Sequence, residues 1–331
     1  MSKGAVSLAF NNRPGIAAET RERILATARE LGWTPNHRAR ALSVSRALAA
    51  GLVMARPPDT LRADPFFPSF IAGVESELSQ HGYALLLQVV PEPGAEHQSY
   101  RRLSVEGRVD GVFLTDLYVD DTRPGLLAEL GLPAVIVGPD VPGSRWPSVG
   151  VDDAPGVNAA VEHLVGLGHT RIAHVAGPSE LVHGRSRREA WAATLTRTGL
   201  EPGPCVVSDF SAEAGATATR TLLELADPPT AIVYANDLMA IAGLSVAQEY
   251  GIAVPAQLSV TGFDNIDLAG YVTPPLTSVR TDPYLWGRTA ADALLDLIAG
   301  EPVDDVEVPP AQLVVRASTA PPSPAIRTET S

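Results

Sequence analysis

Cysteine is nearly missing from this 331-residue chain: Cys205 stands alone, so no disulfide framework can staple the fold and no cysteine cluster offers a zinc site. No stretch approaches the ~20 apolar residues of a membrane-spanning helix. Residues 1–7 hold no long apolar run and no convincing cleavage site, so the expectation is a cytoplasmic protein without contact to a membrane. Lysine is as scarce as cysteine, Lys3 being one of 25 basic side chains. The glycines are scattered at turns and form neither a phosphate loop nor a dinucleotide fingerprint. No Ser/His/Asp order, paired carboxylates or metal-ligand spacing stands out, so no catalytic residue, metal or cofactor is expected.

What is present excludes disorder. Hydrophobic residues make up 45% of the chain, enough for large cores, and a prior of ~100–200 residues per domain suggests two or three domains. The formal charge of −13 is unevenly spread. Residues 1–50 carry eight basic and three acidic side chains, a balance of +5, and the other 281 residues carry −18. A basic head on an acidic body suits contact with a polyanion at one end only. A solvated amphipathic head accounts for the same charges equally well.

Ser2 can cap a short helix ending at Phe10, and residues 11–15 then read as a turn. Ile24, Leu25, Ala28 and Leu31 recur at helical spacing over about 18–31, with Gly32 just past the end. From residue 51 onward, strand-like runs (51–56, 84–90, 111–115, 134–137, 172–176, 205–208, 231–235 and 259–263) alternate with helix-like stretches (68–81, 157–166, 185–198, 212–225 and 237–250). Such alternation predicts parallel sheets with helices on both faces. Open sheets of this kind bind ligands at the carboxyl ends of their strands, which singles out Asp64, Thr115, Asn236 and Asp264.

Particular motifs narrow the class further. Val6-Ser7, Asn11, Thr20-Arg21-Glu22-Arg23-Ile24 and Glu30-Leu31-Gly32-Trp33-Thr34-Pro35-Asn36 closely resemble the lactose/galactose-repressor (LacI/GalR) family of bacterial transcriptional regulators. So do Glu162-His163-Leu164-Val165-Gly166-Leu167-Gly168-His169-Thr170-Arg171-Ile172, Asn236-Asp237-Leu238-Met239-Ala240 and Ser259-Val260-Thr261-Gly262-Phe263-Asp264-Asn265. Asp64-Pro65-Phe66-Phe67 and Pro274-Pro275-Leu276-Thr277-Ser278-Val279 complete a set that runs in family order from residue 1 to about 316.

The resemblance implies an α/β fold of two doubly wound parallel-sheet subdomains, like the periplasmic sugar-binding proteins, behind a small all-α helix-turn-helix head and hinge helix. The implied bounds are 1–50 for head and hinge, 51–149 plus 279–305 for the first subdomain, and 150–278 plus 306–316 for the second. A disordered tail would occupy 317–331, and its lack of leucine heptads makes a homodimer the default. The family's head opens with a further helix, which this sequence, starting at Met1, does not contain. The expected head is therefore truncated, and Val6, Ala9, Phe10, Ile24 and Leu31 lose a packing partner.

By the same resemblance, Lys3, Gly4 and Leu8 fall where the family reads bases of a palindromic operator. Ser2, Ser7, Thr20, Asn36 and His37 fall where it meets phosphate or supports the head, and Leu42, within the hinge-like Arg38-Ala39-Arg40-Ala41-Leu42, matches the minor-groove wedge. Arg187 matches the family's effector-clamping arginine, and Phe66 and Phe210 the rings beside the ligand. With Asp64, Thr115, Asn236 and Asp264 they imply a sugar or related polyol or nucleoside effector. Gly138 and Thr281 replace an acid and an amide of sugar-responsive members, implying a pocket enlarged or rewired on one side. His163 and His169 have the look of a metal or catalytic pair but hold structural positions in the family. Asp152 reads as a helix cap. The function implied is a ligand-responsive DNA-binding regulator, with a small-molecule sensor or solute-binding module lacking effective DNA binding as the alternative.

Overall fold

A computed structural model describes residues 2–10, 14–32, 46–56, 64–92 and 94–323, with only the backbone of Lys3 and Ser7. Asn36, His37, Leu42 and the rest of the hinge-like segment lie outside the described residues. The head comprises α1 (Lys3–Phe10) and α2 (Ala18–Glu30). Ser2 Oγ accepts the Ala5 amide at 3.2 Å, and Gly32, at φ +61°, follows the C-terminus of α2. Of the residues expected to lose a packing partner, Ala9 and Ile24 are buried in a head where α1 packs on α2, and Leu31 is 76% exposed.

From Ala49 the chain alternates as β1 (Ala49–Ala55), α3 (Phe66–Leu78), β2 (Ala84–Val90), α4 (Ala95–Val105), β3 (Gly111–Leu114), α5 (Arg123–Glu129), β4 (Ala134–Val137) and β5 (Ser148–Gly150). It continues with α6 (Ala154–Gly166), β6 (Ile172–Ala176), α7 (Val182–Arg197), β7 (Cys205–Val207), α8 (Ala212–Leu223), β8 (Ala231–Tyr234), α9 (Asp237–Glu249), β9 (Ser259–Asp264) and β10 (Thr277–Arg280). Last come α10 (Pro283–Ala299), β11 (Val306–Glu307) and β12 (Gln312–Val314). The first sheet has the order β11-β5-β4-β3-β1-β2 and is parallel throughout. The second runs β12-β10-β9-β8-β6-β7, with β12 alone antiparallel.

Helices cover both faces of each sheet, so the central strands are buried along their length rather than at alternate positions. Leu52, Phe113 and Val135 point toward α3 and α10, while Val53, Val112 and Ile136 point toward α4 and α5. In the second sheet one face carries α8 and α9 and the other α6 and α7. The pair α3 and α10 approaches closely through Gly73 and Gly287: a methyl at 73 would overlap the Tyr284 carbonyl oxygen, and one at 287 that of Phe70. Gly73→Ala is accordingly expected to cost ~1–3 kcal/mol of stability, read from the urea midpoint.

Three crossings join the lobes, after β5, after β10 and after β11. The expected single strand near 306–316 of the second subdomain is two strands: β11 pairs with β5 in the first sheet, and β12 with β10 in the second. Pro309 and Pro310, which lack an amide hydrogen, cannot continue a ladder and mark the break. The expected disordered tail also needs correction. Ser318 is fully buried: its carbonyl accepts the Val260 amide at 2.9 Å, and its hydroxyl accepts the Thr277 amide and donates to the Val260 carbonyl oxygen. His163 meets Thr319 at 2.9 Å, and His169 meets Thr230, Ser259 and the Ala320 carbonyl oxygen. Those two histidines tie residues 319–320 to the second lobe.

Candidate functional site

Between the lobes lies a cleft of about 330 Å³. It is lined by residues just beyond the carboxyl ends of both sheets: Arg56 after β1, Thr115 and Asp116 after β3, Gly138 after β4, Asn236 after β8, and Asp264 closing β9. All seven residues singled out for an effector (Asp64, Phe66, Thr115, Arg187, Phe210, Asn236 and Asp264) line it. The second lobe contributes His183, Ser186 and Arg187 from one face of α7, at spacings of three and four residues.

Arg187 is held from three sides. Its Nε donates to Asp153 Oδ2 at 2.7 Å, its Nη1 donates to the Ala235 carbonyl oxygen at 2.7 Å, and its guanidinium carbon sits 3.6 Å from the centre of the Phe263 ring. Nη2 has no partner among the described residues and is left for a ligand. Asp264 faces the same space at φ +103°, its carboxyl free of hydrogen bonds among the described residues. Burial pushes its pKa well above the usual carboxylate range; Arg187 works against that shift, and Asp237, Asp64 and Asp153 add to it. Thr115 Oγ1 and Asp153 Oδ1, on side chains 97% and 92% buried, also lack partners among the described residues. Buried polar atoms are normally satisfied, so these orphans point to a missing ligand or water.

The first lobe holds its cation differently. Arg56 Nε and Nη2 grip both oxygens of Asp116, at 2.7 and 2.6 Å, and Nη1 donates to Asp64. Although burial opposes the anion, Arg56 holds Asp116 below its ordinary pKa, whereas burial outweighs Arg56 at Asp64 and raises it. Asp64 Oδ1 meanwhile accepts the Phe66 amide at the start of α3. Beneath this layer, Arg123, 2% exposed, donates to the carbonyl oxygens of Thr115 (3.1 Å) and Asp116 (2.7 Å) and pairs with Glu96 and Asp121. The rim is closed by two backbone bonds between lobes, Val119 amide to Glu180 carbonyl and Val182 amide to Leu117 carbonyl, both 2.8 Å.

Aromatic rings complete the walls. Phe66 packs on Phe70 and Trp286, and Trp286 Nε1 donates to the Val149 carbonyl oxygen. Phe210 stacks on His183 at 5.3 Å, and burial followed by Arg187 drives the His183 pKa down to about 3, so that imidazole is neutral at physiological pH.

Some sequence expectations need adjustment. Asn236 lines the cleft, but its Oδ1 caps α9 through the Met239 amide and its Nδ2 donates to the Phe210 carbonyl oxygen, so its acceptor is committed to the fold. At Gly138 the space a side chain would enter is held by Leu117, whose Cδ1 would lie 2.9 Å from a Cβ, so that side is filled rather than enlarged; Thr281 does not line the cleft. Asp152 accepts the Ala154 amide at the start of α6, as a cap would. Arg56, Asp116, Asp153, His183 and Trp286 were not anticipated. The rule that selected Thr115 also reaches Arg56 and Asp116, which come one residue after β1 and two after β3; the helical spacing from Arg187 reaches His183.

Asp237 supports this wall from below. Fully buried, it accepts Ser278 Oγ at 2.6 Å and the Ile266 amide at 2.9 Å, fixing the turn that presents Asp264. Burial pushes its pKa up to about 7. The folded chain then retains a proton that the unfolded chain releases, so this group lowers stability as pH rises from about 4 to 7 and has no further effect above that. Asp237→Asn is expected to remove that slope, gaining ~2 kcal/mol on the wild type between pH 5 and pH 8 in paired urea titrations.

Two lobes closing on a ligand cleft define a binding-protein class, and comparison with known proteins agrees. Residues 161–319 match the family model "Periplasmic binding protein-like domain". The regulator CelR of Thermobifida fusca is 35% identical over 96% of this chain and 95% of its own length, and the repressor CytR of Escherichia coli is 31% identical over 96% and 93%. Among solved structures, a lac repressor dimer bound to operator and the anti-inducer ONPF superposes with TM-score 0.84 at 30% identity, covering 97% of this chain and 96% of that one. A CelR–cellobiose complex superposes with TM-score 0.76 at 33% identity, covering 96% of each. The chain belongs to the LacI family of transcriptional regulators.

Proposed function

We propose that the chain acts in the cytoplasm as a homodimeric repressor of a palindromic operator, and that a sugar-like effector in the cleft sets its operator affinity. The observation that carries this reading is the interlobe cleft, lined by Arg187, Thr115, Asp153 and Asp264, of which Arg187 Nη2, Thr115 Oγ1, Asp153 Oδ1 and the Asp264 carboxyl have no hydrogen-bond partner among the described residues. Hydroxyl groups of a polyol satisfy such a mixture of donors and acceptors, and Phe66 and Phe210 offer faces for its apolar side. Because three chain crossings alone join the lobes covalently, closure on a ligand rotates one lobe against the other and re-spaces the heads of a dimer.

On the DNA side the roles fall to Lys3, Gly4 and Leu8 at base edges, to Ser2, Ser7, Thr20, Asn36 and His37 at phosphates or in support, and to Leu42 in the minor groove. Ser2 also caps α1, which leaves its hydroxyl less free for phosphate. Relatives are regulators rather than enzymes, and no catalytic role is assigned to the cleft. The test is binding of this chain to a palindromic operator from its own upstream region across a salt series. Affinity falling steeply and linearly in log–log form, with a slope near −0.9 per phosphate contact, supports the regulator. Binding indistinguishable from that of a scrambled duplex contradicts it and favours a sensor without a DNA grip.

A further inference from the structure

We infer that the cleft takes an uncharged polyol and rejects its phosphorylated or carboxylated counterparts; this rests on the effector reading above and adds the ligand's charge to it. Six acidic side chains face the space: Asp64, Asp116, Asp152, Asp153, Asp264 and Glu307. Two guanidiniums, Arg56 and Arg187, oppose them. Even with Asp264 protonated, the wall carries a net negative charge, and a low-dielectric cleft magnifies its field.

Hydrogen-bond capacity points the same way. Each nitrogen of the Arg56 guanidinium already donates once to a carboxylate, and the two of its five N–H groups that remain sit on nitrogens held by Asp64 and Asp116, so an anion approaching this cation meets their charge. Arg187 has spent Nε on Asp153 and Nη1 on the Ala235 carbonyl oxygen. The groups that remain unpartnered are one acceptor, Asp153 Oδ1, one donor, Arg187 Nη2, and two groups that can both accept and donate, the Asp264 carboxyl and the Thr115 hydroxyl. A hydroxyl brings a donor to each acceptor. Phosphate and carboxylate oxygens bring none and would stand against carboxylates unscreened.

The lock between Arg56 and Asp116 is therefore a specificity device. It fills the place where a free arginine would recruit a phosphate, using a carboxylate on a residue held at φ +49°. Removing the carboxylate should expose the guanidinium and relax the exclusion.

The experiment measures melting temperature and calorimetric affinity of the full chain with three matched pairs: cellobiose, maltose and cytidine, each beside its monophosphate ester. The expected result is that any neutral member that binds loses roughly 100-fold or more in affinity on phosphorylation, and that Asp116→Asn shrinks this penalty by about tenfold or more. Asp64→Asn, which frees Nη1 alone, provides a second variant if Asp116→Asn does not fold, and should shrink the penalty in the same direction. An ester that binds as well as its parent, or a penalty unchanged in the folded variants, overturns the inference and leaves the effector reading intact. If none of the six compounds raises the melting temperature, the polyol reading fails and this inference falls with it.

Discussion

Arg187→Ala is expected to weaken effector binding by ~100-fold or more while the chain still folds. The substitution removes Nη2, whose N–H groups have no partner among the described residues, and unfastens the arginine from Asp153 and the Ala235 carbonyl oxygen. Truncating one member of a desolvated, hydrogen-bonded charge pair costs ~2–5 kcal/mol, and each 1.4 kcal/mol is about tenfold in affinity. Asp153, 8% exposed, would then lie in the cleft as an uncompensated anion and repel the acceptor atoms of a polyol. Arg187→Lys separates charge from geometry: it keeps a cation near Asp153 but cannot reach Asp153 and Ala235 together with a planar fork. Calorimetry with a neutral ligand identified by thermal shift should rank wild type above lysine and lysine above alanine. Equal affinity for wild type and alanine would remove Arg187 from the site.

The second large effect falls on stability. Arg123→Met should destabilise the chain by ~3–5 kcal/mol, because it strands two carboxylates with side-chain exposures of 1% (Glu96) and 2% (Asp121). Tyr118 loses the cation 4.7 Å over its ring, and the carbonyl oxygens of Thr115 and Asp116 lose a shared donor. The loop that carries those residues into the cleft then loses its anchor, so effector affinity should fall as well. Neutralising the acids in the same chain, with Glu96→Gln and Asp121→Asn added to Arg123→Met, should recover much of the stability but not the effector affinity, since the loop anchor remains absent. Urea titrations of the single and triple variants check the first statement, and thermal shift with ligand checks the second. A triple variant no more stable than Arg123→Met would mean that stranded charge is not the cause.

Much of this was legible in the sequence, for identifiable reasons. Ile172 to Ala176 and Ala231 to Tyr234 are buried on both faces, so each reads as a strand-like apolar run, broken in the first only by His174. Thr115, Asn236 and Asp264 were recoverable because ligand-facing polar residues follow such runs directly. The seven-residue α5 was not, since its first residue, Arg123, is buried only by virtue of Glu96 and Asp121, one of them 27 positions away. Arg56 and Asp116 escaped for a related reason: their pairing spans 60 positions, and a charge looks solvated until its partner is known. The two-residue β11 is too short to show any period, and only its pairing with β5 places it in the first lobe. Ser318 looked like the start of a polar tail, yet a small hydroxyl can be buried when backbone groups satisfy it, and here the Thr277 amide and the Val260 carbonyl oxygen do so.

The cleft and the DNA-binding head are expected to share one equilibrium. The direct test adds whichever neutral ligand raises the melting temperature to a preformed complex of this chain with its operator, following fluorescence anisotropy for wild type and Arg187→Ala. Coupling free energies of this kind run to ~1–3 kcal/mol, so the operator Kd of the wild type should move by about fivefold or more at saturating ligand. The variant should not respond at the same concentration. An operator Kd that stays constant while the ligand still raises the melting temperature of the wild type would contradict the account.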